Sequence, residues 1–239
     1  MPERMYKMKY QFLLFDADGT LLDFPADMTE AFHRMYAAQF AAQRPFRQEL
    51  LACYEACNNR AWARFERGEC TKNQLYISRF VEFLDQTGLT GDPEAVNASY
   101  FTALAETGTP YPGAAALVER LCQAYKLYII TNGNVVSQMP RLRHAGLMEY
   151  FQDVFVSEAV GVGKPDKRYF DYVAAHIPGF QRENALVIGD SPSSDIQGAV
   201  NAGLDSLWYD PPGLNNVKSD AFTYRVETYD GILRILEHV

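Results

Sequence analysis

Two aspartates separated by one residue, Asp16 and Asp18, stand directly after the apolar run Gln11–Phe15 and directly before Gly19-Thr20. An apolar run that ends abruptly in acids reads as a buried parallel strand delivering two carboxylates to the C-terminal edge of a sheet, where open α/β sheets bind ligands. In extended chain such a pair points to one side, and Gly19 lets the backbone break away just beyond it. One acid can then face a reacting group while its neighbour works beside it. Asp-x-Asp-Gly is also a common turn composition and part of a calcium-loop pattern, and taken alone this stretch supports either reading.

Later segments favour the chemical reading. The apolar run Leu127–Ile130 ends in Thr131-Asn132-Gly133, and Ala185–Gly189 ends in Asp190-Ser191, with Asp195 further on; Lys164-Pro165 lies between them. Polar clusters at the ends of apolar strands are what a sheet-edge site requires. In this order, Asp-x-Asp-Gly-Thr, strand-Thr-Asn-Gly, Lys-Pro and strand-Gly-Asp-x-x-x-x-Asp resemble the four motifs of the haloacid dehalogenase superfamily, and the likeness runs through most of the chain.

That resemblance implies phosphoryl chemistry. Asp16 would be the nucleophile, forming an aspartyl phosphate, and Asp18 the general acid to the leaving oxygen and then the base toward water. Thr131, through its hydroxyl, and Asn132, through its backbone N–H, would hold phosphate oxygens, and Lys164 would balance the charge of phosphate and Asp16. Asp16, Asp18, Asp190 and Asp195 crowded together need a cation, and an all-oxygen site suits magnesium. By the family pattern the ion takes a carboxylate oxygen of Asp16, the backbone carbonyl of Asp18 and the side chain of Asp190, with Asp195 acting through a coordinated water.

The elements that position these residues alternate strand and helix, except after Phe24-Pro25, where four helical patterns follow one another without a strand. Their signals include Thr71-x-x-Gln74, a capping box, and Asp92-Pro93, an N-cap followed by proline at the first helical position. Alternation resumes at Thr109–Gly113, with Pro140 inside one helical pattern and a last strand expected near Ser206–Tyr209. The expected fold is α/β: a Rossmann-like doubly wound parallel sheet core, residues 1–23 and 109–239, with an inserted all-helical four-helix bundle cap, residues 24–108. Within the cap, Asn58-x-x-x-Trp62, Gly68-x-x-Thr71 and Arg79-Phe80 resemble the pyrimidine 5′-nucleotidase branch of the superfamily, which makes Asn58 and Trp62 candidate specificity residues. Trp62 also fits an amphipathic stripe, as a core side chain would.

Composition narrows the rest. The chain has 239 residues, 48% of them apolar, enough for a substantial core, and a formal charge of -8 that argues against nucleic-acid polymers or an anionic membrane as partner. A polar N-terminus without a signal-peptide core, and no apolar run of transmembrane length, point to a soluble cytoplasmic protein. The four cysteines have no metal-site spacing and are expected as reduced thiols, and the four histidines show no nucleophile motif nearby. The expected partner is a small phosphorylated metabolite such as a pyrimidine nucleotide, and nothing here sets an oligomeric state. A phosphomutase of the same superfamily, a haloacid dehalogenase and a non-catalytic binding protein are the competing readings. Asp18 argues against the dehalogenase, which in the family lacks that acid and the metal.

Overall fold

The computed structural model describes residues 8–212 and 220–239, which group into two compact units. One contains the described residues up to Asp23, Pro110–Val135, and those from Ala145 onward; the other contains Phe24–Thr109 and Val136–His144. Helices α1 (Phe24–Gln39), α2 (Gln48–Glu66), α3 (Lys72–Thr87) and α4 (Pro93–Ala105) follow one another after the first strand. From α5 (Ala114–Leu121) onward helices alternate with strands, as α6 (Val135–His144), α7 (Ser157–Val160), α8 (Lys167–His176), α9 (Gln197–Ala202) and α10 (Tyr229–His238).

In the first unit the strands are β1 (Phe12–Phe15), β2 (Lys126–Thr131), β3 (Asp153–Val156), β4 (Ala185–Gly189), β5 (Asp205–Tyr209) and β6 (Tyr224–Val226). They form one parallel sheet in the order β3-β2-β1-β4-β5-β6, the doubly wound arrangement expected of a Rossmann-like core. Every residue of β1 and β4 is buried, as parallel strands covered on both faces must be. Alternate residues Phe12 and Leu14 of β1 pack with Ala185 and Val187 of β4 against Tyr169, Phe170 and Ala199 of α8 and α9. Each such buried large side chain contributes about 1.5–3 kcal/mol. Phe15 pairs with Ile129 on one side and Ile188 on the other, so the strand order reverses at β1, the position where open α/β sheets bind ligands.

The second unit is helical, with an aromatic core. Tyr54 of α2 stacks on Phe32 of α1 at 4.8 Å and on Phe80 of α3 at 5.3 Å. The capping box forms as its residue types predict: Gln74 N–H donates to Thr71 Oγ1 at 3.3 Å and Thr71 N–H to Gln74 Oε1 at 2.9 Å. Asp92 caps α4, accepting from Glu94 N–H at 3.2 Å. No helix among the described residues is long and apolar enough to cross a membrane, and the four cysteines are free thiols.

Several elements differ from the sequence expectation. Helix α6 spans Val135–His144 with Pro140 inside it, as its pattern implies, but Val136–His144 groups with the helical unit instead of the sheet. A buried ion pair ties it there: Arg141 donates to Asp27 Oδ2 from Nε at 3.2 Å and Nη2 at 2.8 Å, while Asp27 also accepts from Thr109 N–H at 3.0 Å. A π turn, Pro192–Ile196, leads into α9. Strand β5 is not the last: β6 pairs beside it, three residues too short to show a period.

Candidate active site

Strands β1 and β4 lie side by side, so the loops that leave them bring their acids together. One carboxylate oxygen from each of Asp16, Asp190 and Asp195 lies within 4.8 Å of the other two. Lys164 is buried among them, and its ammonium spends its three hydrogens on Asp16 Oδ1 at 2.5 Å, Asp195 Oδ1 at 2.6 Å and the Ile130 carbonyl at 2.8 Å. Thr20 Oγ1 stands between Asp16 Oδ2, at 3.3 Å, and Asp190 Oδ1, at 3.2 Å.

The local sequence enforces this crowding. Gly19 has φ of 90°, and a Cβ there would sit 2.5 Å from Asp190 Oδ2. A Cβ on Gly189 would lie 2.3 Å from Asp195 Cγ, so the end of β4 must be bare for that carboxylate to fold back beneath it. The π turn then locks Asp195, whose Oδ2 accepts from Ser191 N–H at 3.0 Å. Asn132 holds Lys164 through its backbone: its Nδ2 donates to the Lys164 carbonyl at 2.8 Å and its Oδ1 accepts from Lys164 N–H at 2.9 Å. Glu158 Oε2 accepts from Val135 N–H at 2.8 Å and caps the helix that follows the Thr131-Asn132-Gly133 loop.

Three carboxylates thus face one ammonium. Burial pushes Asp16 well above the usual carboxylate range; Lys164 opposes this, and Asp195 and Asp190 reinforce it. Asp190 is partly open to solvent, yet desolvation by the surrounding protein and the Asp195 charge push it up to about 7. Burial works against the Lys164 ammonium, but Asp16 and Asp195 outweigh it and hold the amine protonated. The cluster is short of positive charge. Hard oxygen donors at this spacing with a surplus of negative charge fit a divalent cation such as magnesium, with Asp16 and Asp190 as the available ligands and Asp195 engaged at both oxygens by Lys164 and Ser191.

Of the residues singled out in the sequence, Asp16, Lys164, Asp190 and Asp195 converge directly, and Asn132 touches Lys164. Thr131 ends β2 beside β1, its hydroxyl accepting from Gly133 N–H at 2.9 Å. Asp18 lies in the same loop as Asp16, partly exposed. Asn58 and Trp62 belong to the helical unit. There Asn58 is buried and its Oδ1 accepts from Arg79 Nη1 at 2.9 Å, while Asn97 Oδ1 accepts from Arg79 Nη2 at 2.9 Å. No carboxylate pairs with this buried guanidinium among the described residues; rings including Tyr100, at 4.8 Å, surround it instead. Trp62 is half-buried, edge-on to Phe65 at 5.8 Å. The sequence reading missed Glu158, Trp208, whose Nε1 donates to the Asp190 carbonyl at 3.0 Å, and the bridging hydroxyl of Thr20. Only Thr20 had a signal, its place in Asp-x-Asp-Gly-Thr.

The chain is similar to known proteins along most of its length. The family model described as haloacid dehalogenase-like hydrolase matches residues 10–203. The chain is 37% identical to the HAD-hydrolase YfnB of Bacillus subtilis, covering 95% of this chain and 96% of that protein. It is 36% identical to the pyrimidine 5′-nucleotidase PynA of Streptococcus pneumoniae, over 96% of both chains. Against the pyrimidine 5′-nucleotidase YjjG of Escherichia coli it is 34% identical, over 96% of this chain and 99% of that one. A crystal structure of YfnB bound to magnesium superposes with a TM-score of 0.88, covering 95% of this chain and 99% of that one.

Proposed function

The chain belongs to the haloacid dehalogenase-like hydrolases, and we propose that it hydrolyses a pyrimidine nucleoside 5′-monophosphate through a phosphoaspartyl intermediate, with magnesium as cofactor. The observation that carries the reading is the Lys164 ammonium held between Asp16 and Asp195 at the strand-order reversal, beside Asp190. The pyrimidine part rests on likeness to two proteins named as pyrimidine 5′-nucleotidases.

Asp16 Oδ attacks phosphorus as the ester P–O bond breaks, and Asp18 gives its proton to the departing 5′-oxygen. Water then attacks the same phosphorus, Asp18 takes its proton, and the bond to Asp16 breaks, releasing inorganic phosphate and restoring both carboxyl groups. Thr131 Oγ1, already accepting from Gly133, keeps its own hydrogen for a phosphate oxygen. The Asn132 side chain is occupied with Lys164, which leaves its backbone N–H for the second phosphate contact. Lys164 favours the ionised form of Asp16 against its burial and orients it. A magnesium ion held by Asp16, the Asp18 carbonyl and Asp190 would supply the missing positive charge and neutralise phosphate oxygens.

Discrimination between leaving groups falls to the helical insertion, because the groups above all address phosphate and metal. Trp62 presents a partly exposed ring suited to stacking on a base. Asn58 acts behind it by holding Arg79 in place. The test compares kcat/KM for UMP, dTMP, a hexose phosphate and p-nitrophenyl phosphate, with magnesium and after EDTA. We expect the two nucleotides to be preferred, Trp62→Phe to erode that preference while sparing p-nitrophenyl phosphate, and EDTA to stop all four reactions. Preference for the hexose phosphate would sink the nucleotide assignment, and full turnover without metal would sink the cofactor.

A further inference from the structure

In the turn after β1 the three successive carbonyls of Thr20, Leu21 and Leu22 are all satisfied, but not in the same way. Leu22 O accepts from Gly19 N–H at 3.0 Å and Leu21 O from Tyr111 N–H at 2.9 Å, backbone bonds that any side chain would permit. Thr20 O accepts from the Tyr229 hydroxyl at 2.7 Å. That bond depends on one side chain, the first residue of α10, near the far end of the sequence.

Thr20 is fully buried, and its hydroxyl lies 3.3 Å from Asp16 and 3.2 Å from Asp190. A hydroxyl has one hydrogen, so it can serve only one of these carboxylates at a time; both contacts are long, and a small displacement of Thr20 changes which acid is stabilised. Tyr229 is itself well anchored. Its ring stacks on Tyr209 at the end of β5, with centroids 5.0 Å apart and planes 15° from parallel. Burial first, and Tyr209 second, hold its hydroxyl above the usual phenol range, so it remains a donor. Tyr209 follows Trp208, whose indole donates to the Asp190 carbonyl at 3.0 Å. The end of β5 therefore touches both sides of the cluster: Asp190 through Trp208, and the loop carrying Asp16 through Tyr229.

We propose that Tyr229 is a positioning residue for the acid cluster, its hydroxyl fixing Thr20 and thereby the relative placement of Asp16 and Asp190. This rests on the reading of that cluster as a magnesium and phosphoryl-transfer site. Losing the hydroxyl leaves a buried carbonyl unsatisfied, an effect of the size that changes an equilibrium or rate about fivefold.

The test uses Tyr229→Phe, which keeps the stacked ring, and Tyr10→Phe as control. Tyr10 also donates a hydroxyl hydrogen bond, to Asp205 at 2.7 Å, and has no contact with the acids of the cluster. Magnesium binding to the substrate-free protein is measured by titration calorimetry, and kcat and KM with p-nitrophenyl phosphate. We expect Tyr229→Phe to weaken magnesium binding and lower kcat about fivefold each, with KM changed less than about twofold, and Tyr10→Phe to lower the melting temperature alone. A cycle with Thr20→Val should show that the two losses do not add, since both act through one residue. Wild-type binding and kcat in Tyr229→Phe, equal losses in Tyr10→Phe, or full additivity with Thr20→Val would each overturn the relay. Failure of the wild-type protein to bind magnesium, or unchanged binding in Asp190→Ala, would overturn the reading of the site beneath it.

Discussion

Asp16 and Lys164 form a buried pair at 2.5 Å, but they are not equivalent to the protein. Asp16→Asn keeps the shape and removes the nucleophile, and it lowers the excess negative charge of the cluster. We therefore expect a folded, no less stable protein whose turnover falls by roughly four orders of magnitude, measured on p-nitrophenyl phosphate beside urea unfolding curves. Lys164→Met should do the opposite to stability: Asp16 and Asp195 lose the ammonium that pairs with both, at a cost of about 3 kcal/mol in metal-free buffer, and magnesium should recover part of it. Equal stability of Lys164→Met and wild type without metal would show that the cluster takes up protons instead. Asp16 and Asp190 were legible in the sequence because each directly follows an apolar run that reads as a buried strand, and Asp195 through its spacing from Asp190 in the family motif. The partners that hold them were not: Tyr229 meets Thr20 from the far end of the chain, and Glu158 meets Val135 across a loop. Such pairs carry no local period or spacing.

Helix α6 shows the same limit among elements. Its helical pattern was readable, yet its association was not, because that depends on where a single guanidinium goes. Arg141 and Asp27 each have side chains only 1% exposed, and Asp27 fastens the start of α1, the Gly108-Thr109 crossing and α6 together. Asp27→Asn removes the carboxylate that Arg141 holds at 2.8 Å, so we expect about 3 kcal/mol of destabilisation in urea unfolding followed by circular dichroism. A loss below about 1 kcal/mol would mean that the pair contributes little and that apolar packing alone holds α6 to the helical unit. The capped helices α3 and α4, by contrast, begin where their Thr71 and Asp92 caps required, since capping is decided within one turn of chain. The π turn at Pro192–Ile196 lay between these cases: its Pro-Ser-Ser-Asp composition marks a helix start without setting its width, and the wider turn places Asp195 under Gly189 and onto Lys164.

For the molecule as a whole, the division into two units predicts an uneven response to metal. The proposed ligands all lie in the sheet unit, in loops that leave β1 and β4, whereas the helical unit has its own aromatic core and its own buried charges, Arg79 and the Asp27–Arg141 pair. A ligand that binds only the folded state stabilises by RT ln(1 + [L]/Kd), about 2.7 kcal/mol at a hundredfold excess over Kd. For a unit of this size that corresponds to a rise of roughly 5–10 °C in melting temperature. We expect magnesium to raise the transition of the sheet unit by that amount in calorimetry, and to slow amide exchange at the C-terminal ends of β1 and β4 and in the Pro192–Ile196 turn. Exchange in α2 and α3, which carry Asn58, Trp62 and Arg79, should stay unchanged until a nucleotide is added as well. Asp190→Ala should abolish the thermal shift, whereas Asp195→Ala, whose carboxylate is already held by Lys164 and the Ser191 amide, should retain a part of it. Uniform protection of both units by metal alone would show that the ion acts on the helical insertion too, and substrate selection could no longer be assigned to a part of the chain that the metal leaves untouched.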